Sequence, residues 1–210
     1  MKSAQRNFAQ VMLAAALLAA TSIVPAEART RKSADDAGQA ATSTASSVTL
    51  PAAGSVEVAF SPNEGSEALV VKAIDSAKGE VLVMAYSFTS APVVEALSRA
   101  VKRGAKVRVV ADEKSNVAED RSGKARAALS TLSTAGADVR VISVYPISHD
   151  KVIIVDRETV ETGSFNYSAA AAQRNSENVL VLWHNPDLAK VYLGHFDRNY
   201  RQSKVFSPQY

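Results

Sequence analysis

The sequence predicts an α/β fold: an α-β-α sandwich around a mixed, largely parallel sheet. Three observations predict it. Continuous apolar runs such as EVLVMAYSF (80–88) have the character of strands covered on both faces. Stretches with helical spacing alternate with those runs, the pattern of parallel strands joined by crossover helices. Near residue 150 the alternation breaks: DKVIIVD and TVETG sit close enough for a hairpin, which makes the sheet mixed.

In chain order, Val56 to Phe60 alternates like a short strand. Glu64 to Ala77 carries Leu69, Val70, Ala73 and Ile74 on one helical stripe, and Lys78-Gly79 ends it. After the strand 80–88, APVVEALSRAVKRG reads as a helix closed by Gly104, and AKVRVVAD (105–112) as the next strand. EKSNVAEDRSGK (113–124) is a long polar loop of the kind that often carries function at strand ends. ARAALSTLSTAG is a helix ending at Gly136, and ADVRVISVY a strand. Beyond the hairpin, YSAAAAQRN gives a short helix, SENVLVLW a buried strand, and PDLAKVYLGHFDRNYRQ a closing helix with Pro186 near its start.

The first 28 residues have Lys2 and Arg6, then an Ala/Leu/Val stretch, then Ala26-Glu27-Ala28 at cleavage-site spacing. That order reads as a secretory signal peptide, in preference to an uncleaved anchor, because the apolar run is short and rich in alanine. Residues 29–54 are dominated by Ala, Ser, Thr and Gly without period and read as a flexible linker. Residues 55–210 then form a single domain, and no integral membrane span is expected after processing. Export places the mature protein in the periplasm or outside the cell.

There is no cysteine, which excludes thiolate zinc sites and cysteine nucleophiles and leaves the domain to be held by its core. Histidine occurs only at 149, 184 and 195, too few for a histidine metal cage, and no metal or other cofactor is called for. The net charge of +3 is modest. Lys102, Arg103, Lys106, Arg108, Lys114, Arg121, Lys124 and Arg126 nevertheless cluster in one stretch, and such a region beside a pocket would attract phosphodiester backbones.

The stretch SHDKVIIVDRETVETGSFN (148–166) carries the chemistry. In a strand from 149 to 155, His149 and Lys151 share a face and Asp156 falls on the other. Gly163 permits a tight turn, and Ser164 or Asn166 can cap a helix starting near Tyr167. A lysine, an amide, a hydroxyl and a helix N-terminus together would bind an anion, with a histidine placed to attack it.

His149-x-Lys151, four residues, Asp156, six residues, Gly163-Ser164-x-Asn166 resembles the HxKx4Dx6GSxN signature of the phospholipase D superfamily at every defined position. Asn175-Ser176-Glu177-Asn178 resembles the continuation in that family. The resemblance runs from residue 55 to about 203 and is strongest to the short bacterial endonucleases that carry one motif per chain. It implies a phospholipase D-like fold and a metal-independent reaction. His149 attacks phosphorus, a second histidine serves as acid and then base, and Lys151, Asn166 and Ser164 hold the phosphate oxygens. Glu177 orients the histidine, and Asp156 braces backbone without touching substrate. His184 and His195 fall outside the motif as surface or packing residues.

One motif supplies one histidine, so the resemblance also implies a homodimer with a composite site. The expected substrate is nucleic acid, DNA or RNA, with a phospholipid head group as the alternative. A nucleic-acid-binding module without catalysis is disfavoured by the intact set of His149, Lys151, Asn166 and Glu177.

Overall fold

The computed structural model describes residues 47–208; the signal peptide and most of the linker expected from sequence lie outside them. An eight-stranded sheet organises this unit. Its strands are β1 (Ser55–Ser61), β2 (Glu80–Ala85), β3 (Lys106–Asp112), β4 (Asp138–Ile142), β5 (Lys151–Val155), β6 (Thr159–Gly163), β7 (Glu177–Trp183) and β8 (Lys204–Val205). They lie in the order β1-β7-β6-β5-β2-β3-β4-β8. The helices are α1 (Ser66–Asp75), α2 (Ala91–Lys102), α3 (Lys124–Ala135), α4 (Ala169–Gln173) and α5 (Pro186–Gln202).

The sheet is mixed, but parallel pairing is confined to β2-β3 and β3-β4. The other five pairings are antiparallel, which corrects the expectation of a largely parallel sheet. The reason is the β5-β6 hairpin. It docks β5 antiparallel beside β2, and β7 and β1 then add as a meander-like antiparallel half.

Layering follows from alternation. Val81 and Val83 of β2, Val107 and Val109 of β3, and Ile153 of β5 face the apolar stripes of α1, α2 and α3: Leu69 and Ile74, Leu97 and Ala100, Leu129 and Leu132. The intervening residues Leu82, Met84, Val110, Val152, Ile154 and Val160 face α5, which contributes Ala189 and Phe196. Both faces of β2 and β5 are therefore buried, as their unbroken apolar runs require. Among the described residues no helix is long and apolar enough to cross a membrane.

The hairpin turn is closed by the Glu158 N–H donating to the Val155 carbonyl at 3.1 Å, with Asp156 and Arg157 both at positive φ, 50° and 59°. A right-twisted hairpin favours such primed turns. Aspartate tolerates the left-handed region, and here its carboxylate also accepts the N–H groups of Lys78, Gly79 and Glu80, each at 2.8 Å. Asp156 thus ties the far end of β5 to the α1–β2 connection, a brace to neighbouring backbone.

Candidate active site

His149, Lys151, Gly163, Ser164, Asn166 and Glu177 line one cleft of about 420 Å³. The cleft opens at the edge of the sheet where β2 and β3 end and β5 begins, since Ala85 of β2 pairs with Lys151. Ligand sites in open α/β sheets favour this edge, outside the carboxyl ends of the parallel strands. A larger cavity of about 490 Å³ lies between α2, α3 and α4, mostly apolar, and holds none of these groups.

Strand β5 begins at Lys151, two residues later than the expected strand, so His149 sits on the approach to the sheet rather than in it. Its ring is exposed and packs against Tyr86, centroids 4.6 Å apart at 56°. The Lys151 side chain is buried, donates to the His149 carbonyl at 3.0 Å and places its ammonium 5.3 Å from the centre of the Tyr86 ring. Burial pushes the lysine below its ordinary pKa, opposed by the charges of Glu177 and Asp150. Asn166 reaches the same cleft, and its buried Oδ1 has no hydrogen-bond partner among the described residues.

Three expectations for this stretch change. Gly163 makes no tight turn; it closes β6, and its backbone lies so near β7 that a Cβ there would strike the Asn178 carbonyl. Ser164 and Asn166 do not cap a helix. Ser168 does, accepting the Ala171 N–H at 3.2 Å, and α4 is only five residues long, too short to offer an anion seat. Ser164 also lacks a free donor. Its hydroxyl donates to Glu177 at 2.6 Å, and its N–H donates to the Asn178 carbonyl at 3.1 Å.

Glu177 is held accordingly. Ser164 and Asn175, the latter at 2.9 Å, donate to its carboxylate, and it makes no hydrogen bond to His149 of the same chain. What the histidine does have is a backbone anchored on both sides. Buried Asp112 accepts the Ser148 N–H at 2.8 Å. On the other side the Asp150 carbonyl accepts the Tyr86 N–H at 2.9 Å.

The polar loop 113–124 folds its first turn as a π-helical turn, Lys114–Ala118. Its Asn116 is fully buried, donating to the Tyr86 and Asp112 carbonyls at 2.6 and 2.8 Å and accepting the Phe88 N–H at 2.9 Å. This fixes the tyrosine against which His149 packs. Sequence reasoning missed Asp112, Asn116 and Tyr86. Only Asp112 left a signal, a carboxylate closing an apolar strand.

The basic stretch divides. Lys106 opens β3 opposite Glu80, and Arg103 is tied to Asp75, at the sheet edge away from the cleft. Arg108 pairs with Glu80 and lies over Phe196 and Tyr200. Of the residues following β3, Lys114 pairs with Glu119, Arg126 donates to the Val117 and Asp120 carbonyls, and Lys124 lines the larger apolar cavity. None of the stretch therefore lines the cleft as the expected basic region would. Among the described residues no three His, Cys, Asp or Glu side chains converge as metal ligands would.

Comparison with known proteins adds to this geometry. Residues 70–200 match the family described as cardiolipin synthase, PLD-like domain. The chain is 39% identical over 138 residues to a phospholipase D of Rickettsia felis; the match takes in 66% of this chain and 66% of that protein, just under two thirds of its length. It is 28% identical over 136 residues to the mouse mitochondrial cardiolipin hydrolase, covering 65% of this chain and 58% of that one. Among solved structures it resembles the phospholipase D family member Nuc from Salmonella typhimurium, with 44% identity and a TM-score of 0.69, over 72% of this chain and 97% of that one.

Proposed function

The chain belongs to the phospholipase D superfamily, and from that premise we propose that it is an exported, metal-independent phosphodiesterase whose substrate is nucleic acid. The observation that carries the reading is the convergence of His149, Lys151, Asn166 and Glu177 on one open cleft.

In this reading His149 attacks phosphorus. An N–P bond forms as the bond from phosphorus to the leaving oxygen breaks, giving a phosphohistidine. A second histidine donates a proton to that oxygen, then takes one from the water that hydrolyses the intermediate. Lys151 and the Asn166 amide face the nonbridging oxygens, and the partly desolvated ammonium supplies the positive charge. Ser164 acts indirectly, by holding Glu177, because its proton is already given to that carboxylate.

The second histidine has no candidate in the same chain. His184 lies 3.0 Å from Glu158 at the hairpin end, and His195 meets Asp150 from the α5 side of the sheet. The reading therefore calls for two chains, each lending His149 to one composite site.

Nucleic acid is preferred to phospholipid for one reason of coverage. The match to Nuc takes in 97% of that chain, whereas the match to the Rickettsia phospholipase D leaves a third of that protein without a counterpart. Incubating the mature protein with plasmid DNA and with phosphatidylcholine vesicles, both in EDTA, tests the proposal. Plasmid relaxation by the wild type and none by His149→Ala is expected. Choline release without plasmid cleavage identifies a phospholipase D instead, and binding of DNA without either reaction identifies a non-catalytic module.

A further inference from the structure

We propose that His195 is a positioning residue that, through Asp150, fixes the backbone between His149 and Lys151. The inference rests on the reading that those two residues carry the chemistry, and it gives a role to a histidine outside the signature.

The geometry begins with Asp150. While His149 and Lys151 line the cleft, the Asp150 side chain between them reaches to the opposite side of the sheet, toward α5. There the His195 Nε2 stands 3.2 and 3.1 Å from the two Asp150 carboxylate oxygens, and the Asn199 Nδ2 donates to the same carboxylate at 3.2 Å. Asn199 is buried against Met84, and neighbouring Phe196 is fully buried in the α5-side core, so this part of α5 is a rigid support. The Asp150 carbonyl meanwhile accepts the Tyr86 N–H. Side chain and carbonyl of one residue thus bind two different elements.

The tautomer of His195 is set by its other neighbour. The Arg198 Nη2 lies 2.6 Å from the His195 Nδ1. A guanidinium has donors only, so Nδ1 accepts and Nε2 carries the proton given to Asp150. The charged and titratable groups around the ring are Asp150 from just before β5 and Arg198 from α5, with the Tyr145 hydroxyl reaching Asn199 at 3.4 Å. The hydrogen bond from His195 holds the Asp150 carboxyl below the usual range despite its partial burial. An ionised Asp150 is the form that accepts from both α5 donors.

On its other flank His149 is already held by Asp112 through Ser148. Removing the side-chain anchor leaves that flank held by the Asp150 carbonyl alone, which misplaces the nucleophile without dismantling the cleft. A misplacement of about 1 Å costs on the order of 100-fold in rate.

The test uses the full chain, with hydrolysis of bis(p-nitrophenyl) phosphate as the activity readout and hydrogen exchange of the segment 146–152 as a readout independent of activity. His195→Phe keeps the ring volume and loses the donor; its kcat is expected to fall roughly 10- to 100-fold with KM within about twofold. Exchange in 146–152 should rise alongside. His195→Gln places an amide N–H near the Nε2 position and should recover most of the wild-type activity with restored protection. Asp150→Ala should match His195→Phe, and the double variant should be no worse than either single one.

Protection of 146–152 unchanged in His195→Phe and Asp150→Ala overturns the proposal, whatever the activity. So does a His195→Phe enzyme with wild-type kcat, or equal losses in the Phe and Gln variants, which would mean packing alone. If His195→Phe does not fold, Asp150→Ala decides by the same two readouts. A wild-type protein that leaves the diester intact counts against the phosphodiesterase reading, while the exchange data still judge the anchor.

Discussion

The Ser164 hydroxyl donates to the Glu177 carboxylate at 2.6 Å, joining the end of β6 to the start of β7 at the floor of the cleft. The same oxygen accepts the Asn178 N–H at 3.0 Å. One hydroxyl therefore satisfies a charged acceptor and a backbone donor, and has no proton left for a phosphate.

Ser164→Ala separates the two roles a serine here could have. If it braces Glu177, the variant loses about 1–2 kcal/mol of stability from a partly buried, charge-assisted bond, and kcat falls more than KM rises. A direct phosphate ligand would instead give a large rise in KM with stability near wild type. Urea unfolding and steady-state kinetics on the same preparation tell these apart.

Gly163→Ala is expected to be severe although the residue has ordinary backbone angles. An added Cβ would lie 3.0 Å from the Asn178 carbonyl carbon and closer still to its oxygen, both backbone atoms of a paired strand. Relief requires parting β6 from β7, which also parts Ser164 from Glu177. A loss of roughly 3 kcal/mol or more in chemical denaturation follows, with activity lost too. A variant with unchanged stability would show that the two strands can separate freely there.

The elements were legible in the sequence, as was the grouping of His149, Lys151, Asn166 and Glu177 that the fold brings to one cleft, and the connections less so. Apolar runs at 80–88 and 151–155 announced strands buried on both faces because they are short and rich in β-branched residues, where a buried helix would run longer. Strand direction was not legible. Antiparallel docking of β5 beside β2 is decided by tertiary packing, not by any local period. Strand β8, two residues after α5, is too short to leave a pattern. The cap at Ser168 lost out to Ser164 and Asn166 because all three are good capping residues, and only the fold shows which one precedes α4. His195 could not be found from spacing, since it meets Asp150 across 45 residues of chain.

Glu161 bears on pH. It is fully buried in β6, accepts the Tyr167 hydroxyl at 2.8 Å, and its other oxygen has no partner among the described residues. Burial pushes its pKa up to about 8. Because the folded state holds this proton more tightly than the unfolded chain, the stability it contributes is complete below the ordinary carboxylate range. It is lost progressively as pH rises toward 8. Glu161→Gln mimics the neutral form and removes that dependence. At pH near 8 the variant should be more stable than wild type by on the order of 4 kcal/mol, while near pH 4 the two should agree. Denaturation curves that stay parallel across this range would mean that Glu161 ionises without penalty.

Assembly gives the sharpest test of the site. Each chain offers one histidine to the cleft, and the proposed reaction needs a nucleophile on one side of phosphorus and an acid on the other. Two copies of His149 must then meet across a twofold axis. A heterodimer of wild-type and His149→Ala chains, purified with two different tags, should retain at most a few per cent of wild-type activity. Two independent sites would leave about half. Sedimentation at assay concentration should show a dimer, and specific activity should fall on dilution once the dimer dissociates. A monomer with full specific activity would require a second acid within one chain. His184, exposed at the hairpin end, and His195, engaged with Asp150 on the α5 side, would then be the residues to replace in turn. Loss of activity in the monomeric enzyme with either one, at unchanged stability, would identify it.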